Sequence, residues 1–223
     1  MSLFKADKEN PFSGPHQGQR IAERNDPSDA KAAFIMVHGR GASAPSILTL
    51  ADEIEPESIY YTAPQASGST WYPYSFLQPT ERNEPGISSG LQAIYDIREM
   101  LKEKGFSSEQ IFILGFSQGA CLASEFVARH PGRYAGLIVL SGGLIGDSVN
   151  PSVYSGDLEG TPVFMGCSDI DPHIPVERVH ATAEVFSKLN AKVSKKIYPG
   201  MGHLVNHDEI KHIQEIVSGV VNK

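Results

Sequence analysis

One pentapeptide of the chain, GFSQG at Gly115 to Gly119, has the pattern G-x-S-x-G, which is typical of a serine nucleophile. In this pattern the serine lies at a sharp turn from a strand into a helix, and the two glycines leave room for the strained backbone. The context fits, because an apolar run at 111–114 precedes the turn and a helical pattern follows it. We therefore predict that Ser117 is a nucleophile.

A serine hydroxyl is a weak nucleophile at neutral pH, so it needs a base to take its proton and a carboxylate to orient that base. On a fold with this turn, the expected chain order is Ser, Asp, His. His203 follows a predicted strand, and neighbouring glycines allow its loop to bend toward the serine. Asp169 and Asp171 both follow the preceding strand. We favour Asp171, because Pro172 restricts it to an extended conformation that projects from the loop.

Attack of a serine on a carbonyl group also requires hydrogen-bond donors for the resulting oxyanion. The first expected donor is the backbone N–H of Gln118, at a helix N-terminus where the helix dipole adds positive potential. The second is expected from the glycine-rich segment 38–41 after an early strand, and we choose the backbone N–H of Arg40. The Arg40 side chain could meet an anionic substrate group or lie in solvent.

Short apolar runs alternate with helical patterns from residue 32 onward, which predicts an α/β protein with a mostly parallel sheet. The predicted strands are 32–39, 58–64, 111–117, 136–143, 161–169 and 192–200. Helical patterns cover 87–101, 118–130, 176–186 and the region from about 206 to 220. The helix at 118–130 has small or apolar residues nearly all round, so we predict that it is the most buried. The histidines on the predicted helices, His130, His180 and His212, are expected to be solvated.

Composition limits the remaining possibilities. A chain of 223 residues fits one domain, and a formal net charge of −7 without a basic block argues against a nucleic-acid or anionic-membrane partner. No apolar run approaches the roughly 20 residues that a membrane-spanning helix needs. The N-terminus lacks the apolar segment of a secretory signal, so a cytoplasmic location is expected. Both cysteines, Cys121 and Cys167, are predicted to be core residues with free thiols.

The chain divides into a polar segment and a catalytic domain. Residues 1–31 are rich in Pro and Gly and show a weak alternation around 19–24 that could be an antiparallel edge strand. Residues 32–223 form the predicted domain. Two of its loops, 65–85 and 141–160, are longer than usual, and the first is rich in aromatic residues, which favours a functional role.

Five segments resemble the phospholipase/carboxylesterase family of the α/β-hydrolase superfamily, which includes acyl-protein thioesterases and bacterial carboxylesterases. They are VHGRGAS, APQASGSTWYP, ILGFSQGA, GCSDIDPHIP and YPGMGH. The resemblance implies a single-domain α/β-hydrolase fold with helices on both faces of the sheet and no cap domain. It also implies hydrolysis of esters or thioesters through an acyl-serine, with Ser117, Asp171 and His203 as the triad and the backbones of Arg40 and Gln118 as oxyanion donors.

The same resemblance bears on the substrate. Loops equivalent to 65–77 help to line the acyl pocket in this family, so Trp71 and Tyr72 are expected to contact the substrate. His173, next to the predicted acid, could touch the substrate or merely pack. A small-molecule ester or thioester with a small to medium acyl group is the expected substrate. No metal or other cofactor is expected, and a homodimer is a candidate assembly.

Three other functions are less favoured. A metallohydrolase using His203 and His207 would lack a full ligand set, and Gly202 interrupts any helix there. A dienelactone-hydrolase-like enzyme has the same fold, but its nucleophile is a cysteine where this chain has Ser117. A non-catalytic binding protein would be expected to have lost part of the triad, whereas this chain keeps candidates for all three roles.

Overall fold

The structure is a computed structural model that describes residues 4–55 and 57–222. Within these residues the strands are β1 (Ile21–Arg24), β2 (Ala32–Val37), β3 (Ile59–Pro64), β4 (Ile111–Phe116), β5 (Gly136–Leu140), β6 (Pro162–Ser168) and β7 (Lys192–Tyr198). The α-helices are α1 (Ala44–Ile47), α2 (Ala51–Ile54), α3 (Gly86–Glu103), α4 (Gln118–Arg129), α5 (Val176–Lys188) and α6 (His207–Val221).

The strands form one sheet in the order β1-β3-β2-β4-β5-β6-β7. Strand β1 pairs with β3 in antiparallel fashion, and every other pairing is parallel. Strands β2, β3 and β5 are buried along their whole length, whereas β7 at the edge is half-exposed. Buried strands need no polar face, which explains why their sequences are runs rather than alternations. The predicted mostly parallel sheet is confirmed.

Helices cover both faces of the sheet, as expected for the α/β-hydrolase fold. One hydrophobic cluster joins the sheet to α3, α4 and α5, and a second cluster joins the opposite face to α1, α2 and α6. Helix α4 is buried at every residue, which confirms the prediction from its all-round apolar sequence. In the described part of the chain, loops 65–85 and 141–160 add no cap domain. None of the helices described there has the length and hydropathy that a membrane-spanning helix requires.

The N-terminal segment docks along α3 and α4 through polar contacts. The backbone N–H of Phe12 donates to Gln92 Oε1 at 3.1 Å, and Arg129 donates to the carbonyl oxygen of Phe4 at 3.1 Å. Farther along, the weakly alternating stretch coincides with β1. Because hydrogen bonds rather than an apolar face hold most of this segment, its sequence shows little periodicity.

The prediction that His130 is solvated is wrong. His130 follows the last residue of α4 and is buried, with its ring nitrogens 3.0 Å from the carbonyl oxygen of Phe126 and 2.9 Å from that of Ala6. Burial lowers the pKa of this imidazole to about 4. The N-terminal segment covers the end of the helix, and the helical pattern alone could not show that contact.

Candidate active site

Ser117 occupies the turn between β4 and α4. Its backbone has φ +57° and ψ −121°, a conformation that L-residues rarely adopt and that costs on the order of 1–3 kcal/mol. The glycines of the pentapeptide allow this turn. A Cβ at Gly115 would collide with the carbonyl group of Gly119, and a Cβ at Gly119 would collide with that of Val37 on the neighbouring strand. The motif therefore reflects backbone crowding that presents the serine at the carboxyl edge of the sheet.

Three side chains form a continuous line of hydrogen bonds at this edge. His203 Nε2 lies 2.9 Å from Ser117 Oγ, and His203 Nδ1 lies 2.7 Å from Asp171 Oδ2. The other carboxylate oxygen of Asp171 accepts backbone N–H groups of His173 at 2.8 Å and Ile174 at 3.1 Å. The structure thus brings the three predicted triad residues together, although they lie in three separate loops.

The electrostatics of Asp171 favour its charged form. Burial alone would raise its pKa, but the hydrogen bonds from His203 and the backbone of His173 outweigh burial, so the pKa lies below its ordinary value. An ionised Asp171 accepts the hydrogen on His203 Nδ1. That bond leaves Nε2 of the neutral ring free to accept the proton of Ser117.

Asp169, the competing acid, has a different position. Its Oδ1 accepts the backbone N–H of Gly200 at 2.8 Å, and nearby Ser168 Oγ accepts the N–H of Gly202 at 2.9 Å. These bonds join the loop that carries Asp171 to the loop that carries His203. Asp169 therefore links the two loops, while the carboxylate bonded to His203 is that of Asp171.

The two residues expected to supply the oxyanion donors lie near the serine. Gln118 begins α4, so its N–H is one of the unpaired donors of a helix N-terminus. The segment at Gly39 packs against Ser117, since a Cβ at Gly39 would lie 3.4 Å from Ser117 Cβ. Arg40 lines the same cavity as Ser117, Gln118 and His203.

The side chains of Arg40 and Gln118 form hydrogen bonds to loop 65–85, which we call the aromatic loop. The Arg40 guanidinium donates to the carbonyl oxygens of residues 72–74 at distances of 2.8 to 3.0 Å. Gln118 Nε2 donates to the carbonyl oxygen of Tyr72 at 2.8 Å, and its Oε1 accepts the N–H of Trp71 at 2.9 Å. Arg40 is exposed overall, as one of the two expectations had it, and its guanidinium is bonded to loop carbonyls. Sequence patterns carried no signal for these contacts.

A cavity of about 410 Å³ lies next to Ser117. Its lining includes the predicted residues Tyr72 and His173, together with Tyr74 and Phe76 of the segment 65–77 that was expected to line it. Cys121 and Ile174 also line the cavity and were missed. Cys121 could have been found from the sequence, because it follows Ser117 by one turn of α4 and so shares its helix face. Both cysteines are buried and unbridged, as predicted.

Trp71 is placed differently from expectation. It is fully buried and is not among the residues that line the cavity. Its indole N–H donates to the carbonyl oxygen of His38 at 2.8 Å. The indole therefore packs in the protein interior, on the side of the aromatic loop that faces away from the cavity. Among residues 4–55 and 57–222, no group of three or more His, Cys, Asp or Glu side chains could hold a metal ion.

Comparison with known proteins identifies the relatives of this chain. The profile of the Phospholipase/Carboxylesterase family matches residues 16–221. The chain is 28% identical to acyl-protein thioesterase 1 of Debaryomyces hansenii, over 92% of this chain and 97% of that protein. It is 25% identical to a probable carboxylesterase, SOBER1-like, of Arabidopsis thaliana, over 86% of this chain and 80% of that protein.

A solved structure shows the same relationship. The phospholipase/carboxylesterase of Dyadobacter fermentans is 33% identical to this chain, each chain is covered completely, and the TM-score is 0.86. The sheet order, the serine turn and the line of hydrogen bonds agree with this assignment. The chain belongs to the phospholipase/carboxylesterase family of α/β hydrolases.

Proposed function

We propose that the protein hydrolyses carboxylic esters or thioesters of small to medium acyl groups through an acyl-enzyme on Ser117. The observation that carries this proposal is the line of hydrogen bonds from Ser117 through His203 to Asp171, beside a cavity whose lining includes Tyr72, Phe76 and Ile174. Relatives named acyl-protein thioesterase and carboxylesterase support the same reaction class.

In the first half of the proposed reaction, Ser117 Oγ attacks the carbonyl carbon of the substrate while His203 Nε2 takes the hydroxyl proton. The backbone N–H groups of Arg40 and Gln118 stabilise the negative charge on the carbonyl oxygen. Asp171 stabilises the imidazolium through Nδ1. The carbon–oxygen or carbon–sulfur bond then breaks, and the alcohol or thiol leaves with the proton from His203.

In the second half, water replaces the leaving group. His203 Nε2 takes a proton from the water as its oxygen attacks the acyl carbon, and the same two N–H groups stabilise the second oxyanion. Collapse of this intermediate breaks the bond to Ser117 Oγ, which recovers its proton from His203. The carboxylic acid is released and the free enzyme is restored.

The walls of the cavity support a small to medium acyl group. Its volume of about 410 Å³ lies toward the lower end of the roughly 300–1,000 Å³ that is usual for small-molecule sites. The side chains of Tyr72, Phe76 and Ile174 are largely buried and present apolar surface to it. A short to medium alkyl chain placed against these side chains would be removed from water, which is favourable.

Hydrolysis of a p-nitrophenyl ester series from acetate to palmitate, with matched acyl thioesters, tests the proposal. We expect turnover with an optimum at short to medium chain length, and loss of turnover in Ser117→Ala. Ser148→Ala, at an exposed serine outside the cavity, is the matched control and should keep wild-type rates. Turnover that survives Ser117→Ala, or no turnover on any substrate, would refute the proposal.

Location and assembly are separate proposals. We propose that the protein acts in the cytoplasm, which two buried and unbridged cysteines support, because such thiols are usual where the cell is reducing. Fractionation of expressing cells tests the location. We also propose that the protein forms a homodimer. Light scattering after size-exclusion chromatography tests this assembly, and a single monomeric mass would contradict it.

A further inference from the structure

The N-terminal segment reaches the back of the aromatic loop through His16. This residue is only 4% exposed, and its ring bridges two backbone groups of the loop. His16 Nε2 lies 2.8 Å from the carbonyl oxygen of Trp71, and the N–H of Ser67 donates to His16 Nδ1 at 3.1 Å. A carbonyl oxygen only accepts and an amide N–H only donates, so these partners require a neutral ring with its hydrogen on Nε2.

A second buried histidine holds the same part of the loop. His38 Nε2 accepts the N–H of Ala66 at 3.1 Å, while its Nδ1 lies 2.8 Å from the carbonyl oxygen of Gly39. The Trp71 ring lies between the two imidazoles, with centroid distances of 5.1 Å to each. Burial lowers the pKa of both imidazoles, which favours the neutral rings that these hydrogen bonds need.

The backbone of Trp71 is connected directly to the residues of the cavity. The backbone N–H of Trp71 donates to Gln118 Oε1, and the next residue, Tyr72, lines the cavity. Tyr72 cannot keep its place if the Trp71 backbone moves, since the two residues share a peptide bond. The main chain of His16 is itself anchored, because its N–H donates to Ser89 Oγ on α3 at 2.9 Å.

We propose that His16 is a positioning residue for acyl-chain selection, which holds residues 66–72 so that Tyr72 forms a fixed wall of the acyl cavity. This inference rests on the function proposed above for that cavity. It also gives the polar N-terminal segment a role, because that segment supplies the ring. His16 does not touch the substrate, so its effect must be conveyed through the loop.

The first test compares two buried histidines. His16→Phe keeps a ring of similar size but leaves Trp71 O and Ser67 N–H without partners. We expect kcat/KM for the best-fitting acyl chain to fall roughly tenfold, with a smaller loss for the acetate ester, so that chain-length preference flattens. His130→Phe is the matched control, because His130 also contacts the N-terminal segment but not the aromatic loop. It should keep the wild-type preference.

The second test needs no substrate. Trp71 is the single tryptophan of the chain and is fully buried, so its fluorescence reports on the loop alone. We expect acrylamide to quench Trp71 more strongly in His16→Phe than in wild type, and no such increase in His130→Phe. If wild type hydrolyses no ester, the proposed function fails, while this quenching comparison still decides the role of His16.

Two variants that keep one of the two hydrogen bonds, and the tautomer of the His16 ring, provide further tests. His16→Gln can retain a donor near the Nε2 position, and His16→Asn can retain an acceptor near Nδ1, so each should fall between wild type and His16→Phe. Nitrogen-15 spectra of the wild-type ring should show the neutral form with hydrogen on Nε2. A charged ring or the other tautomer at neutral pH would overturn the proposal. The proposal would also be overturned if His16→Phe kept the chain-length preference and the acrylamide quenching of wild type. Changes of equal size in His130→Phe would overturn it as well.

Discussion

At the scale of single residues, the choice between two neighbouring carboxylates shows how little separates a catalytic role from a structural one. Asp171 uses one oxygen for two backbone N–H groups and presents the other to His203. Asp169 uses its Oδ1 for Gly200 in the facing loop. Two residues of separation along the chain therefore distinguish a partner of the base from a brace between loops.

We expect Ser117 and Asp171 to respond very differently from Asp169 to substitution. Ser117→Ala should lower kcat by about 10⁶-fold and Asp171→Asn by up to about 10⁴-fold, as in other serine triads. Asp169→Asn keeps an oxygen acceptor for Gly200 and should retain most activity. Steady-state kinetics with circular dichroism as a folding control would check this. Severe loss in Asp169→Asn with little loss in Asp171→Asn would reverse the assignment of the acid.

Activity should fall as the pH is lowered, because protonated His203 cannot accept the serine proton. The pKa of Asp171 is held below its usual value, so its carboxylate stays charged between pH 5 and 9 and does not produce this fall. A profile of kcat/KM over that range is the measurement. Activity that stays level down to pH 5 would argue against a histidine base.

At the scale of elements, the N-terminus of α6 determines where the His203 loop ends. Asn206 Oδ1 accepts the N–H of Glu209 at 2.9 Å, and Glu209 Oε2 accepts the N–H of Asn206 at 2.9 Å, which forms a capping box. Glu209 is fully buried, and its Oε1 has no hydrogen-bond partner among the described residues. Burial raises the pKa of this carboxyl to about 7.

This raised pKa predicts a pH-dependent stability. The folded state binds the Glu209 proton more tightly than the unfolded state does, so the stabilisation is complete below the unfolded pKa and is lost as the pH rises through about 7. The loss between pH 5 and 8 should be on the order of 1–3 kcal/mol. Urea denaturation of wild type and Glu209→Gln at both pH values measures it.

In Glu209→Gln that part of the pH dependence should disappear. Glu184→Gln, at an exposed position on α5, is the matched control and should keep the wild-type dependence. Identical pH dependence in wild type and Glu209→Gln would show that Glu209 does not couple folding to protonation.

At the scale of the whole molecule, one buried carboxylate joins three distant segments. Glu125 Oε1 accepts the N–H of Ile145 and the hydroxyl of Tyr154 at 2.8 Å each, which anchors loop 141–160 to α4. Its Oε2 accepts from Arg129 at 2.6 Å, and Arg129 in turn donates to Phe4 in the N-terminal segment. Both charged side chains are almost completely buried.

Removing this carboxylate should destabilise the whole fold. Glu125→Ala leaves Arg129 charged, buried and unpaired, and we expect it to lower the free energy of unfolding by about 3–5 kcal/mol. Lys8 and Glu103 offer a matched contrast, because they also join the N-terminal segment to a helix but are exposed. Glu103→Ala should cost less than about 1 kcal/mol. Chemical denaturation would contradict the argument if both variants lost the same stability.

The contrast between correct and incorrect sequence predictions follows the range of the interactions involved. Strands such as β2 and β5 were predictable because burial on both faces leaves an unbroken apolar run. The serine turn was predictable because its backbone is too crowded for a Cβ at Gly115 or Gly119, so the motif itself records the turn. His130 and Trp71 were misplaced, since their surroundings come from Ala6 and His38, which are remote in the chain.

By itself, the sequence determined the fold class, the parallel strands, the four long helices α3 to α6, the serine turn and the candidates for its base and acid, because periodicity and backbone sterics act between near neighbours. The short helices α1 and α2 had no such signal. Tertiary structure alone decided which carboxylate faces His203, where the Arg40 side chain is bonded and which residues line the cavity. It also decided that His16 supports the aromatic loop. These outcomes depend on contacts between side chains from distant parts of the chain, and local sequence patterns do not predict such contacts.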